Sequence, residues 1–461
     1  MLTRLVRRRR TGWWALAAGA ALGLSACSLD VNDPDIVTPD DVSDPASLPL
    51  AITGAIGDLQ LALDDYSLYV GMFVDEFILA GTFPSRQQVD ERSMLSDNGT
   101  LNNDMYTLLH VARFSGDNLA QGAGELVGNP DADQDLVANA LAVGQYNGAY
   151  VRMLLAEAYC QSILGGGDEF NPNTETAPLG PDERMQDALS LYQAAQASAA
   201  SAGLTDLVTA AKIGEARAQM FLGNYAQAAS VAATVSEGFL RIAEYSSNQS
   251  SQFNEVYVFT YGDTQQIRWT VGDGTQSERH REKFAFYDEW VDVGLIDPSP
   301  DPVLFSTFTG TIFVHLQLIY GRGIPVPSAP GQSASIFLGT GFEADIMEAE
   351  AMYRAGNVAG AESLINSRLT TGANPHGKNF DPVDLTGTFA SDIVQIGRAY
   401  EAGAWLTGHR FGFFRRVIRN DGVDLFPTVQ PGSDTAFPIT KQEIDNNEFV
   451  SQACPSGPPW S

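Results

Sequence analysis

The sequence predicts a mainly α-helical protein, a scaffold of helical hairpins carrying a loop-rich insertion with a few short strands. Three observations predict it. Apolar residues recur at three- and four-residue steps over several long segments. An alanine-rich hairpin motif occurs twice, 133 residues apart. Between the copies lies a stretch of different composition, rich in Gly, Pro and aromatic residues.

In chain order, the first element is a leader. Arg4 and Arg7 to Arg10 precede an apolar run from Trp13 to Leu24, then Leu24-Ser25-Ala26-Cys27. A run of about 12 to 14 residues is shorter than the roughly 20 that a membrane-spanning helix needs, so residues 1–26 read as a secretory signal. Small residues before Cys27 resemble the lipobox of bacterial lipoproteins, which makes Cys27 the expected lipid attachment site. An ordinary signal cut near Ala26 is the alternative. Removing the leader takes away five of the 27 Lys+Arg and none of the 56 Asp+Glu, leaving a net charge of −34. Such an acidic chain has no electrostatic reason to hold nucleic acid or an anionic membrane surface.

Residues 27–46 are acidic and proline-rich, with Asp33-Pro34-Asp35 and Pro39-Asp40-Asp41, and read as a tether. The body is expected to be one unit, 47–461. Helices are expected over Ser47 to Leu63, Thr100 to Leu126, Tyr150 to Leu164 and Glu183 to Ala202, with a loop through Gly165-Gly166-Gly167-Asp168 and Asn171-Pro172-Asn173. Cys160 and Cys454 are either bridged or free.

The repeat pairs Glu215-Ala216-Arg217-Ala218 and Gly223-Asn224-Tyr225-Ala226 with Glu348-Ala349-Glu350-Ala351 and Gly356-Asn357-Val358-Ala359. Small alanines let two helices approach, and Gly-Asn supplies the residue able to adopt the left-handed backbone that ends the first helix. The motif resembles the tetratricopeptide unit. Those units normally follow one another at about 34 residues, so copies this far apart imply a scaffold interrupted by inserted segments.

The insertion spans about 247–332. Asn254 to Tyr261 and Thr311 to Leu316 read as short strands. Tyr257, Tyr261, Trp269, Phe284, Phe286, Tyr287 and Trp290 fall within 34 residues. Loop-rich segments on a rigid scaffold are where binding sites are usually built, although any one ring can equally belong to the insertion's core.

Catalytic and metal signatures are sparse. The five histidines are isolated from one another. Gly122 to Gly128 approximates a dinucleotide loop but lies in a helical segment and follows no strand. Asp131-Ala132-Asp133-Gln134-Asp135 begins like a calcium loop, yet Leu136 stands where glycine belongs, so it reads as a solvated helix start. No cofactor, metal site or catalytic residue is expected. A spatial pair of glycosidase carboxylates stays open, because sequence spacing does not constrain it.

The order of features resembles the SusD/RagB family of nutrient-binding outer-membrane lipoproteins, nearly end to end. Tyr106 to Arg113 with Asp117-Asn118, Gly148 to Arg152, and the hairpin at Ala216 to Ala229 are similar to its early and central helices. Ala349-Glu350-Ala351, Ala355-Gly356-Asn357 and Ile365-Asn366-Ser367-Arg368 resemble its final repeat. Arg398-Ala399-Tyr400-Glu401, Gly408-His409-Arg410-Phe411 with Arg415-Arg416, and Phe437-Pro438-Ile439-Thr440 resemble its C-terminal signature. Gly397 and Thr407 stand where glutamates are usual, and Phe413-Phe414 where Asp-Leu is common, which implies lost ion pairs around the last helix.

The resemblance implies a SusD-like fold and an extracellular-facing, lipid-anchored outer-membrane protein. It implies a binding protein rather than an enzyme, one that captures a glycan or other nutrient and passes it to a SusC-like TonB-dependent transporter barrel. Trp290, Tyr287, Trp269 and Tyr261 are the candidate ligand-binding residues. The alternatives are a tetratricopeptide-like module assembling envelope proteins, and a hydrolase.

Overall fold

The computed structural model describes residues 42–74, 76, 78–79, 83–164, 177–261, 267–268, 333–375, 377–404, 407–426 and 434–450. Residues 1–26, most of the 27–46 tether, the Gly165 to Asn173 loop and the Thr311 to Leu316 strand lie outside these residues.

Helix α1, Leu48–Phe73, opens on Pro49 and runs ten residues beyond the segment read from periodicity. Its second half, from Leu63 onward, is buried on nearly every side, and a helix buried all round has no one-sided apolar period to read. Strand β1, Ile78–Leu79, and the short helix α2, Pro84–Asp90, follow. A π-helical turn at Leu101–Tyr106 then leads into α3, Thr107–Glu125. Gly122 and Gly124 lie in this helix, and Gly122 meets Val42.

Helix α4, Gln134–Ala158, starts on Asp133, whose carboxylate accepts from the Asp135 and Leu136 amides. The calcium-like segment is therefore a helix cap. Gly116 of α3 faces Gly144 and Gly148 of α4 so closely that a Cβ on Gly116 would lie 2.9 Å from the Gly148 nitrogen. Helix α4 stops at Ala158, short of Leu164, because the chain there pairs with the closing segment. Phe437 donates to the Ala158 carbonyl (2.8 Å) and Cys160 to that of Phe437 (3.2 Å). Cys160 is disulfide-bonded, and the other two cysteines, Cys27 and Cys454, lie outside the described residues.

Helices α5 (Pro181–Ser201), α6 (Thr205–Phe221) and α7 (Tyr225–Ala232) continue the succession, each packed on its predecessor. The second copy of the repeat forms α9 (Gly341–Arg354) and α10 (Val358–Leu369), after α8 (Glu255–Tyr261). Both hairpins turn as expected, with Gly223 at φ +77° and Gly356 at φ +87°.

The two copies are neighbours in space, since α7 packs on α9. They are joined by an antiparallel ribbon of β2 (Leu240–Ala243) and β4 (Ile336–Thr340), with Leu240 opposite Thr340 and Ala243 opposite Ile336. The chain between these strands is thus looped out of a repeat that is continuous in space. Its root is held by a second ribbon, β1 against β3 (Ile267–Arg268).

The strand expected over Asn254 to Tyr261 is instead helix α8. β-Branched and aromatic residues favour strands, but Asp64 at 1% exposure accepts from the Glu255 amide (2.6 Å) and the Val256 amide (3.4 Å). A carboxylate on two consecutive amides fixes a helix start, and this tertiary contact overrides local preference.

Helices α11 (Phe389–Ala404), α12 (His409–Asp421) and α13 (Lys441–Asn446) complete the described elements. The expected loss of ion pairs at the departures is only partly what occurs. Gly397 makes room for the Phe413 ring, which a Cβ there would meet at 2.7 Å. The two departures are thus complementary. Phe413 in turn packs on Tyr400 (4.8 Å) and under the Arg416 guanidinium (4.8 Å). Arg410 pairs with Glu401 at 2.5 Å and donates to the Val74 carbonyl.

Two buried acids of α9 hold the scaffold. Glu343 takes a two-pronged contact from Arg217 of α6, with bonds of 2.9 and 2.8 Å. Seven residues on, and so on the same face, Glu350 binds Arg416 of α12 and Arg354, which also grips Asp421. Burial raises the Glu350 carboxyl, but Arg416 and Arg354 outweigh it and hold it below the usual carboxylate range.

Removing one partner of such a buried network leaves an uncompensated charge, which costs about 3–5 kcal/mol. Glu350→Ala should lower the unfolding free energy by that amount in urea titration. A loss of under about 1 kcal/mol, the size of an exposed pair, would contradict the assignment.

Candidate functional site

Ribbon β1–β3 and helix α8 bring the root of the insertion onto α1, α2 and the π-helical turn. The side chains that meet there come from four separate stretches of sequence. Helix α2, opened by Pro84, carries Arg86, whose guanidinium lies over the Phe83 ring (5.1 Å) and the Phe259 ring of α8 (4.4 Å). Such stacking of a cation between two ring faces stabilises its orientation by electrostatic attraction to the rings. Phe83 keeps 47% of its surface exposed and presents an open aromatic face beside the cation.

Carboxylates surround Arg86. Tyr69 of α1 donates to Asp104 on the π-helical turn at 2.9 Å. Asp65, four residues before Tyr69 and therefore on the same face of α1, sits among Asp104, Glu255 and Arg86. Its carboxyl is pushed up to about 8, first by burial and then by the like charges of Asp104 and Glu255, with Arg86 opposing. Glu255, at the start of α8, is raised by burial and lowered by Arg86. The face thus combines hydrogen-bond acceptors, one protonated carboxyl, one guanidinium and an exposed ring, which is the set that holds hydroxyl groups and an apolar ring face together.

Of the residues expected from sequence to bind ligand, Tyr261 ends α8, while Trp269, Tyr287 and Trp290 lie outside the described residues, as does Cys27. Trp269 directly follows β3 in the chain, and so follows the ribbon that anchors the insertion beside Arg86. Sequence reading missed Asp65, Tyr69, Phe83, Arg86, Asp104 and Phe259. Its only available signal was the Asp64-Asp65-Tyr66 interruption in an otherwise apolar helix.

Among the described residues, no group of three or more His, Cys, Asp and Glu side chains is placed to hold a metal ion, and no helix is long and apolar enough to cross a membrane. The signature arginines are structural. Arg410, Arg415 and Arg416 are buried within α12's packing, with Arg415 donating to the Glu157 carbonyl. His409 lies between Arg217 (3.0 Å to Nδ1) and Tyr150 (2.8 Å to Nε2). A guanidinium cannot accept a hydrogen bond, so Nδ1 accepts and Nε2 carries the proton. Burial and then Arg217 hold the imidazole pKa well below its usual value, so the ring is neutral.

Asp65 generates a pH prediction. Its folded value of about 8 lies above the ordinary 3.8, so across that window the folded protein holds a proton that the unfolded chain has released. The group's contribution is complete below the lower value and is lost as pH rises toward the upper one. Asp65→Asn should gain stability relative to wild type between pH 5 and pH 8 in urea titrations. A stability difference unchanged across that range would contradict the assignment.

No protein-family model matches the chain, and no curated protein sequence matches it. Solved structures do. A SusD superfamily protein from Bacteroides thetaiotaomicron superposes with a TM-score of 0.64 at 14% identity, covering 91% of this chain and 100% of that one. One from Bacteroides vulgatus gives 0.63 at 13% identity, covering 89% and 98%. A protein described as SusD-like and carbohydrate-binding, also from Bacteroides vulgatus, gives 0.61 at 10% identity, covering 90% and 99%.

Proposed function

We propose that this chain, whose fold is that of the SusD superfamily, is a carbohydrate-binding protein of that family. It captures a saccharide on the face rooted at Arg86 and passes it to a TonB-dependent transporter barrel. Its place is the outer membrane, facing outward, tethered through lipid on Cys27. The fold likeness covers about nine-tenths of the chain, and one neighbour of the same fold is described as carbohydrate-binding. The observation that carries the reading is the meeting of Phe83, Arg86, Asp65 and Asp104 at the root of the aromatic-rich insertion. Trp269, Tyr287, Trp290 and Tyr261, the residues expected from sequence to bind ligand, belong to that insertion.

A sugar ring lays its C–H face on an aromatic ring while its hydroxyls pair with carboxylates and guanidinium, which suits reversible capture. Hand-off to a barrel needs such weak binding, because a ligand held too tightly is not released. The raised Asp65 carboxyl beside Asp104 also favours one other reading, glycoside hydrolysis, in which a raised carboxyl serves as general acid. Release of reducing sugar from a bound glycan by the purified protein would replace capture with catalysis.

The test is a glycan array followed by calorimetry on the best ligand. Phe83→Ala should weaken binding about fivefold to tenfold, the loss expected for one stacked ring. Trp269→Ala and Trp290→Ala should weaken it comparably. If none of the three changes affinity for any bound glycan, the site is elsewhere. If no glycan binds and an envelope protein is captured instead, the protein is an assembly module. Radiolabelled palmitate should enter wild type and not Cys27→Ser; label surviving in the variant would remove the anchor.

A further inference from the structure

The π-helical turn at Leu101–Tyr106 has two sides. Asp104 faces Tyr69 in the site described above. Asn102, Asn103 and Tyr106 line a separate open cavity of about 430 Å³, closed on its far side by Thr440, Gln442 and Glu443 of the C-terminal segment. That volume lies within the range of about 300–1,000 Å³ typical of small-ligand pockets. Widened π turns within helices frequently mark functional positions.

The charges of this cavity are already paired within the protein. Arg113 is held by Asp117 at 2.8 Å, and Glu443 accepts from Tyr106 at 3.4 Å. A charged ligand would have to break one of these pairs, whereas a neutral one would not. Of the lining atoms left without a partner, Nε of Arg113 is charged but enclosed, and the others are neutral. Asn103 and Gln442 bring exposed side-chain amides to the cavity, and the buried Nε2 of His110 has no partner among the described residues. His110 stacks against the Tyr106 ring at 4.3 Å, and burial and Arg113 push its pKa down to about 3, so the imidazole is uncharged. Leaving a buried imidazole nitrogen without a partner is unfavourable, and a hydroxyl entering beside Tyr106 relieves it. Val111, 43% exposed, and Phe114 supply an apolar wall.

We infer that this cavity is a second saccharide subsite, taking one neutral hexose unit whose C–H face rests on Val111, Phe114 and Tyr106 and whose hydroxyls reach Asn103, Gln442 and His110. It is distinct from the Arg86 face, and the two lie on opposite sides of one helical turn.

The test is NMR of the whole protein carrying 15N-labelled histidine, titrated with glucose, galactose, mannose and N-acetylglucosamine, with glucuronate and glucosamine as charged probes. At least one neutral hexose should shift the His110 signal saturably, and Phe83→Ala should leave that titration unchanged. Val111→Trp, which fills the mouth from an exposed position, should raise the apparent Kd at least about tenfold. Gln442→Ala, at the surface, should raise it about threefold and serves if the tryptophan variant does not fold. A His110 signal indifferent to every hexose overturns the subsite, as does unchanged affinity in both variants. A response to the charged probes alone overturns the ligand class. Loss of array binding at the Arg86 face with the His110 response intact would overturn the first site and leave this one standing.

Discussion

The scaffold depends on Glu343 and Glu350, two buried acids one above the other on α9. Each is gripped by an arginine from a distant part of the chain, Arg217 on α6 and Arg416 on α12. Taking four such charges from water is costly, and the cost is recovered only where geometry is good on both partners. Two-pronged contacts provide that geometry, and His409, Tyr150, Arg354 and Tyr400 satisfy the remaining donors and acceptors. Apolar residues would hold the helices together as strongly but with less regard to position. The ion pairs fix which faces meet, and so set α9 beside α6 and α7.

That placement has a topological consequence. Helix α9 is the first helix after the looped-out segment, and α7 the last helix before it. Clamping α9 into the position of the next repeat forces the ends of the insertion together, where β2 and β4 pair. The insertion then leaves from one fixed place and is pinned a second time by β1–β3 and by Asp64 under α8. The candidate site stands at that second attachment. A rigid scaffold presenting a variable segment allows the ligand chemistry to change without changing the core.

What could be read from the sequence divides along contact range. The hairpins were legible because their signals are local: Gly223 and Gly356 adopt positive φ, and small alanines mark the close-packed faces. The repeat, its copies offset by 133 residues, implied a scaffold interrupted by inserted segments, but not that the two copies pack on one another. Helix α8 was not legible, since the residue that starts it is 191 positions away in Asp64. The same holds for the site. Asp65, Arg86, Asp104 and Glu255 carry no spacing signature, and only the fold brings them together. The pairing of Gly397 with Phe413 shows the same limit, because two departures that each look like a lost interaction turn out to fit one another.

The central claim is that a saccharide is held on the face built from Phe83, Arg86, Asp65 and Asp104. A crystal structure of the protein with the tightest-binding glycan from an array tests it most directly. The account predicts a sugar ring stacked on Phe83 with hydroxyls within hydrogen-bond distance of Arg86 or Asp104. A glycan seated with every contact elsewhere, and the Phe83 ring still exposed to solvent, would contradict it.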